Sequence, residues 1–259
     1  MSDITIPGAV FLGLIQGFTE WLPISSSGHL VIVQSLLGIS VPAAFDIVIM
    51  FGTIVALILY FRHTLFLLVT GILSGDRTAL RYCLFIVIAG AGTVLIGFPG
   101  KNFFKGLFSQ PFIVSCLLIV TGIFLFIVSY VKPPANEMTS GRSFIIGLAQ
   151  GIAVAPGISR SGSTIGAALL FGINAEDAAV FSFMIGMPAM TVAAVLTFLE
   201  EPATNVPIIP LAVATISAFF AGYASIGFLM RVLREKRFAI FAYYCIGAGL
   251  LFAALTYHP

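Results

Sequence analysis

GLIQGFTEWLPISSSGH at residues 13–29 and GLAQGIAVAPGISRSGS at 147–163 are one pattern written twice. Sliding the chain by 134 residues superposes 13–52 on 147–186 without a gap, with 14 identities in 40 positions, against roughly three or four expected from so biased a composition. Gly13, Gln16, Gly17, Ser25, Ser27, Gly28, Gly38 and Gly52 fall on Gly147, Gln150, Gly151, Ser159, Ser161, Gly162, Gly172 and Gly186. Each copy is a pair of apolar pieces, about 5–22 with 29–39 and 144–156 with 163–173, cut by a Ser/Gly/Pro-rich break. Twelve helical residues reach only ~18 Å, against a hydrocarbon core of ~30 Å. Each pair therefore reads as a re-entrant helix-loop-helix, and 5–22, long enough to span, is kept re-entrant because its partner is too short.

The rest of the chain demands a membrane. Its 12 Lys+Arg and 10 Asp+Glu in 259 residues compare with about 65 charges in a soluble domain of this size. With 59% apolar residues and a mean hydropathy of +1.13, the outer surface must face lipid. A net charge of +2 provides no field for nucleic acid, and Cys83, Cys116 and Cys245 lie singly in apolar runs, without disulfide or metal spacing. The first positive charge is Arg62, so the opening apolar run is not expected to be a cleavable signal.

Six further apolar runs, roughly 43–61, 83–99, 111–131, 178–199, 208–230 and 238–257, read as ordinary spans. The expected fold is an all-α integral membrane protein forming one membrane domain over 1–259. Repeat one covers about 5–131 and repeat two about 143–257, each with one re-entrant pair and three transmembrane helices. Three crossings per copy turn the second upside down, an inverted-topology repeat. With the chain starting outside, the loops at 62–82, 132–142 and 231–237 lie inside and hold nine of the twelve positive charges. Lys101, Lys105, Glu200 and Glu201 stay outside, and both termini are expected there.

Inverted copies let the two breaks meet near the middle, with half-helix N-termini aimed at a common anion. The copies differ where chemistry is carried: Glu20 faces Val154, Ser26 faces Arg160 and His29 faces Ser163. Gln16 and Glu20, four apart, share a helix face, and an intramembrane carboxylate is by default a metal ligand or proton acceptor unless it escapes to water at the helix end. His29 follows Ser26 by three residues, within reach of its hydroxyl proton; a satisfied structural histidine is the alternative. Arg160 brings a permanent bidentate donor suited to phosphate or carboxylate, and an ion pair with Glu20 would neutralise both when no ligand is bound. Asn174 with Asp177 reads as a helix cap, Asp46 as a first-turn acid, and His63 and His258 as loop or tail residues.

These two segments, Gln16–His29 and Pro156–Thr164, closely resemble the motifs of the undecaprenyl-diphosphate phosphatase family, also called the bacitracin-resistance protein family, nearly end to end. The resemblance implies a phosphoric-anhydride hydrolase of the plasma or inner membrane. Such an enzyme removes the terminal phosphate of a polyprenyl diphosphate on the outer face, recycling the lipid carrier for cell-wall glycan synthesis. Carried over by position, Ser26 attacks phosphorus, His29 assisted by Glu20 takes its proton, and Arg160 stabilises the phosphoryl group. Ser25, Ser27, Gly28, Gly157, Ser159, Ser161 and Thr164 hold the diphosphate, while membrane lipids and a lipid-facing groove accommodate the tail. Direct attack by an activated water is the rival chemistry. Mg²⁺ or Ca²⁺ at Glu20 and Gln16 is a further expectation, weakened because the family admits Glu or Gln at the first position and this chain has Gln16. No organic cofactor is expected, and a homodimer is compatible with the sequence. The alternative function is a lipid-carrier flippase or anion transporter using the same midplane site.

Overall fold

The computed structural model describes residues 4–200 and 207–257. Glu201 and His258 lie outside these residues, as does the first stretch of the N-terminus. Among the described residues all regular structure is helical: α1 Ile6–Trp21, α2 Ser26–Leu37, α3 Ala43–Tyr60, α4 Arg62–Leu73, α5 Arg77–Gly97, α6 Lys101–Leu107, α7 Pro111–Tyr130, α8 Ser140–Ile152, α9 Arg160–Leu170, α10 Ala175–Glu200, α11 Ile208–Arg234 and α12 Ala239–Thr256.

Five helices, α5, α7, α10, α11 and α12, are long and apolar enough to cross a membrane. They coincide with five of the six expected spans. The sixth is different: α3 turns by 74° at Phe61 and continues as α4. The segment 62–82, expected as a loop, thus contains a helix and the first turns of α5. The sequence of α4, RHTLFLLVTGIL, carries seven apolar residues, four of them the strong helix former leucine. None of α4 is buried, however, so it lies on the outside of the bundle. Leu73 is 81% exposed and Phe98 74%, a surface suited to hydrocarbon and not to water.

The short elements come out as expected in length. α1 has 16 residues, α2 12, α8 13 and α9 11, and even α1 reaches only ~24 Å. Each pair is held at its break by side-chain caps, Ser25 on the N–H of Gly28 (3.3 Å) and Ser159 on that of Gly162 (3.0 Å).

Packing crosses between the halves. α1 lies along α11, and its counterpart α8 lies along α5, the counterpart of α11. The third spans, α7 and α12, pack on each other. Equivalent glycines permit the approach: a Cβ on Gly13 would stand 2.2 Å from the carbonyl oxygen of Ala214, and one on Gly147 2.0 Å from that of Ala89. Small residues at such crossings bring backbones together where lipid offers no hydrophobic drive. The core gathers around Trp21, fully buried, edge-on to Phe183 at 5.2 Å and donating Nε1–H to the Thr53 carbonyl at 3.1 Å. Trp21 is the last residue of α1, and the core continues into the first break through Leu22 and Ile24.

Candidate active site

The first break, residues 22–25, touches the second, residues 153–159, through Ser25. Its Oγ accepts from the N–H of Gly157 at 3.1 Å as well as from Gly28, and lies 3.4 Å from the Ile158 carbonyl oxygen, to which it donates. Ser25 adopts φ 67°, a left-handed conformation unusual outside glycine. Gly157, at φ +93°, is needed twice over, because a Cβ there would also stand 2.4 Å from the Val114 carbonyl oxygen. Gly28 sits against it, and a Cβ on Gly28 would be 3.0 Å from the Gly157 Cα. From α7, Thr121 donates to the Gly157 carbonyl at 2.9 Å and accepts from the N–H of Ser159 at 3.1 Å. Thr121 lies in a mostly apolar span that also holds Ser115 and Ser129, and nothing in its spacing marks it.

This crossing brings Arg160, the first residue of α9, to Glu20 near the end of α1. Arg160 Nη2 lies 2.6 Å from Glu20 Oε1, with the two side chains 14% and 8% exposed. Glu20 Oε2 accepts from the Ser26 hydroxyl at 2.5 Å and from the Gln16 amide at 2.9 Å. Carboxylate, serine, guanidinium and amide therefore form one cluster from four positions and both copies. In the second copy Val154 replaces the acid, and Gln150 donates instead to Thr93 at 3.0 Å.

The guanidinium is cradled by α10 and by Trp21. Its Cζ lies 5.0 Å from the Trp21 ring centroid, and Nη2 also reaches Met190 Sδ at 2.9 Å. A Cβ on Gly186 would stand 1.7 Å from Nη1, so this helix face must lack a side chain. Nη1 is buried and has no hydrogen-bond partner among the described residues. Gly186 was visible as a repeated glycine, but its service to Arg160 was not.

His29 does not join this cluster. Its Nδ1 is 2.8 Å from the Ser25 carbonyl oxygen and its Nε2 2.9 Å from the Tyr244 hydroxyl of α12. The hydrogen bond that the serine hydroxyl makes is to Glu20. Tyr244 sits in a long apolar run and had no signal to separate it from an ordinary span aromatic.

The remaining hydroxyls divide. Ser161 donates to the Leu22 carbonyl at 2.9 Å, and Thr164 donates to the Arg160 carbonyl at 2.9 Å and pairs with Ser182 at 2.5 Å. Ser161 thus ties the two breaks together, Ser159 caps α9, and Thr164 joins α9 to α10. Ser27 is half-buried, and its hydroxyl has no protein partner among the described residues. The caps claim the third and fourth N–H of each half-helix. Those of Ser26 and Ser27, and of Arg160 and Ser161, are left without intrahelical acceptors, as anion sites require.

Among the described residues no three His, Cys, Asp or Glu side chains converge as a metal group. Glu20 has both oxygens engaged by Arg160, Ser26 and Gln16. A hard dication wants several oxygen donors, and one carboxylate already neutralised by a guanidinium does not provide them. The residues present do not fit a resident Mg²⁺ or Ca²⁺.

Two contacts that join the copies, Ser25 to Gly157 and Arg160 to Glu20, lie within the stretch of chain that known proteins match. Residues 9–251 match the family model described as bacitracin resistance protein BacA. The chain belongs to this family. It is 40% identical to the undecaprenyl-diphosphatase of Syntrophotalea carbinolica, over 96% of this chain and 98% of the relative. The proteins of the same name from Desulforapulum autotrophicum and Korarchaeum cryptofilum are 37% and 34% identical, covering 93% and 96% of this chain and 95% and 99% of theirs. Membership in the BacA family thus extends across essentially the whole fold.

Proposed function

We propose that this BacA family member hydrolyses undecaprenyl diphosphate to the monophosphate and phosphate. The observation that carries the reading is the Ser26 hydroxyl donating to a carboxylate that is itself held by Arg160. A serine beside a base and a fixed cation is a nucleophile arrangement for phosphoryl transfer.

Ser26 Oγ attacks the terminal phosphorus as Glu20 takes its proton. The Oγ–P bond forms, and the bond from phosphorus to the bridging oxygen breaks, leaving as the lipid monophosphate. The leaving monophosphate carries off the proton that Glu20 took. Water then attacks the phosphoserine as the freed carboxylate takes one of its protons and returns it to the Ser26 oxygen, releasing phosphate. Arg160 and the free N–H groups at the starts of α2 and α9 carry the developing charge. No step passes through a divalent ion, and any Mg²⁺ or Ca²⁺ is expected to arrive with the diphosphate, whose oxygens supply the missing ligands. The prenyl tail rests in the lipid-facing surface between helices.

The two halves are read as inverted repeats, supported by the exchanged packing of α1 on α11 and α8 on α5. The site is read as opening to the outer face, supported by the cations gathered at the other ends of the spans. There Arg234, at the end of α11, pairs at 3.0 Å with Glu176 at the start of α10. A carrier for the lipid or an anion would have no use for a serine poised on a carboxylate. The test is phosphate release from purified undecaprenyl diphosphate by detergent-solubilised protein, where hydrolysis persists and transport cannot be expressed.

A further inference from the structure

His29 is buried on α2 but spends neither ring nitrogen on Ser26. Nδ1 faces the Ser25 carbonyl at 2.8 Å, and because a carbonyl only accepts, Nδ1 carries the proton and donates it. Nε2 faces the Tyr244 hydroxyl at 2.9 Å. The two rings stack, 5.7 Å between centroids and 13° from parallel, and Phe252 closes on the imidazole edge-on at 5.8 Å. Neither nitrogen faces a carboxylate, so a charged ring here would be a buried cation without a counter-ion. In the neutral ring Nε2 is a lone pair, and the Tyr244 hydroxyl is the donor that fills it.

We propose that Tyr244 is a positioning residue for the reaction: its hydroxyl donates to His29 Nε2 and fixes the imidazole as the Nδ1–H tautomer, the form that braces the Ser25 carbonyl. This rests on the hydrolase reading above. The brace matters because Ser25 is held at φ 67°, cross-links the two breaks through its Oγ and directly precedes the nucleophile. The opposite tautomer would set the Nδ1 lone pair against the carbonyl oxygen and repel it. Ser25 would lose a side-chain donor, and Ser26 its fixed approach to Glu20. Tyr244 itself is half-exposed on α12, so the hydroxyl can be removed without opening a cavity in the core.

The test is nitrogen NMR of full-length protein labelled with ¹⁵N-histidine, which has only three such residues, His29, His63 and His258. The wild type is expected to show one neutral histidine protonated at Nδ1, with Nε2 hydrogen-bonded as an acceptor. In Tyr244→Phe that signature should give way to a tautomer mixture, while kcat falls about 3- to 10-fold and KM stays nearly constant, the size of one net hydrogen bond. A wild-type His29 that is protonated at Nε2, singly or together with Nδ1, overturns the proposal without any variant. So does a Tyr244→Phe protein with an unchanged signature or unchanged kcat. Wild-type protein that shows the tautomer yet releases no phosphate from a polyprenyl diphosphate overturns the hydrolase reading instead.

Discussion

Arg160 and Glu20, 140 positions apart in the chain, meet at 2.6 Å where two re-entrant breaks cross. Each residue alone would be a costly charge at membrane depth, and each is the other's counter-ion until a diphosphate competes for the guanidinium. On the proposed mechanism the pair is the resting state of the site, and substrate binding partly exchanges a carboxylate for phosphate oxygens on Arg160.

Replacing Arg160 by Lys keeps the charge but loses the planar fork, the stacking on Trp21 and the second nitrogen against Gly186. The expected result is a loss of kcat/KM on the order of 10²-fold or more, measured as phosphate release under saturating and limiting lipid. Activity within a few-fold of wild type would show that a point charge is sufficient.

Gly186→Ala tests the cradle from the other side. A Cβ placed 1.7 Å from Nη1 must push the guanidinium away from Glu20 or tilt α10. Activity should fall at least about tenfold, since small misplacements at a reacting centre cost heavily, while gel filtration still reports a monodisperse protein. Unaltered turnover would mean that Arg160 has another equally good position.

Ser25→Ala removes the acceptor shared by the Gly28 and Gly157 N–H groups and leaves both buried. A cap and a buried acceptor together are worth about 1–3 kcal/mol. The thermal midpoint in detergent should drop by several degrees, and turnover should fall with it because Ser26 is the next residue. A midpoint equal to the wild type's would make the link between the breaks dispensable.

Divalent-ion binding separates a resident metal from one carried by the substrate. Calorimetry of the substrate-free protein with Mg²⁺ or Ca²⁺ should give no binding tighter than roughly millimolar, as one neutralised carboxylate provides too few oxygens. Addition of a non-hydrolysable diphosphate lipid should make binding measurable. Tight binding to the free protein would place a metal at Glu20.

The proposed catalytic cluster is legible because it violates its surroundings. Glu20, Ser26 and Arg160 are polar groups in an apolar chain, and the 13–52 and 147–186 copies differ at their positions. What holds them was largely illegible. Met190 and Tyr244 belong to apolar runs where sulfur and aromatic rings are ordinary, and Thr121 is one hydroxyl in a span that could have satisfied it on its own helix. Spacing placed His29 beside Ser26, but the first turn of α2 directs the ring toward α12 and the serine toward α1. Hydropathy found α3 without its 74° turn into α4, because composition records length and not direction. Five spans were recovered closely, since nothing interrupts them except Pro188 inside α10, which the helix accommodates.

The most direct measurement is a rapid quench of the wild-type protein with undecaprenyl diphosphate carrying ³²P in its terminal phosphate, followed by peptide mapping, with Ser26→Ala run in parallel. Label on the peptide containing Ser26, and a variant reduced to background phosphate release, is the predicted result. An unlabelled wild-type protein together with near-normal turnover in Ser26→Ala would contradict the account.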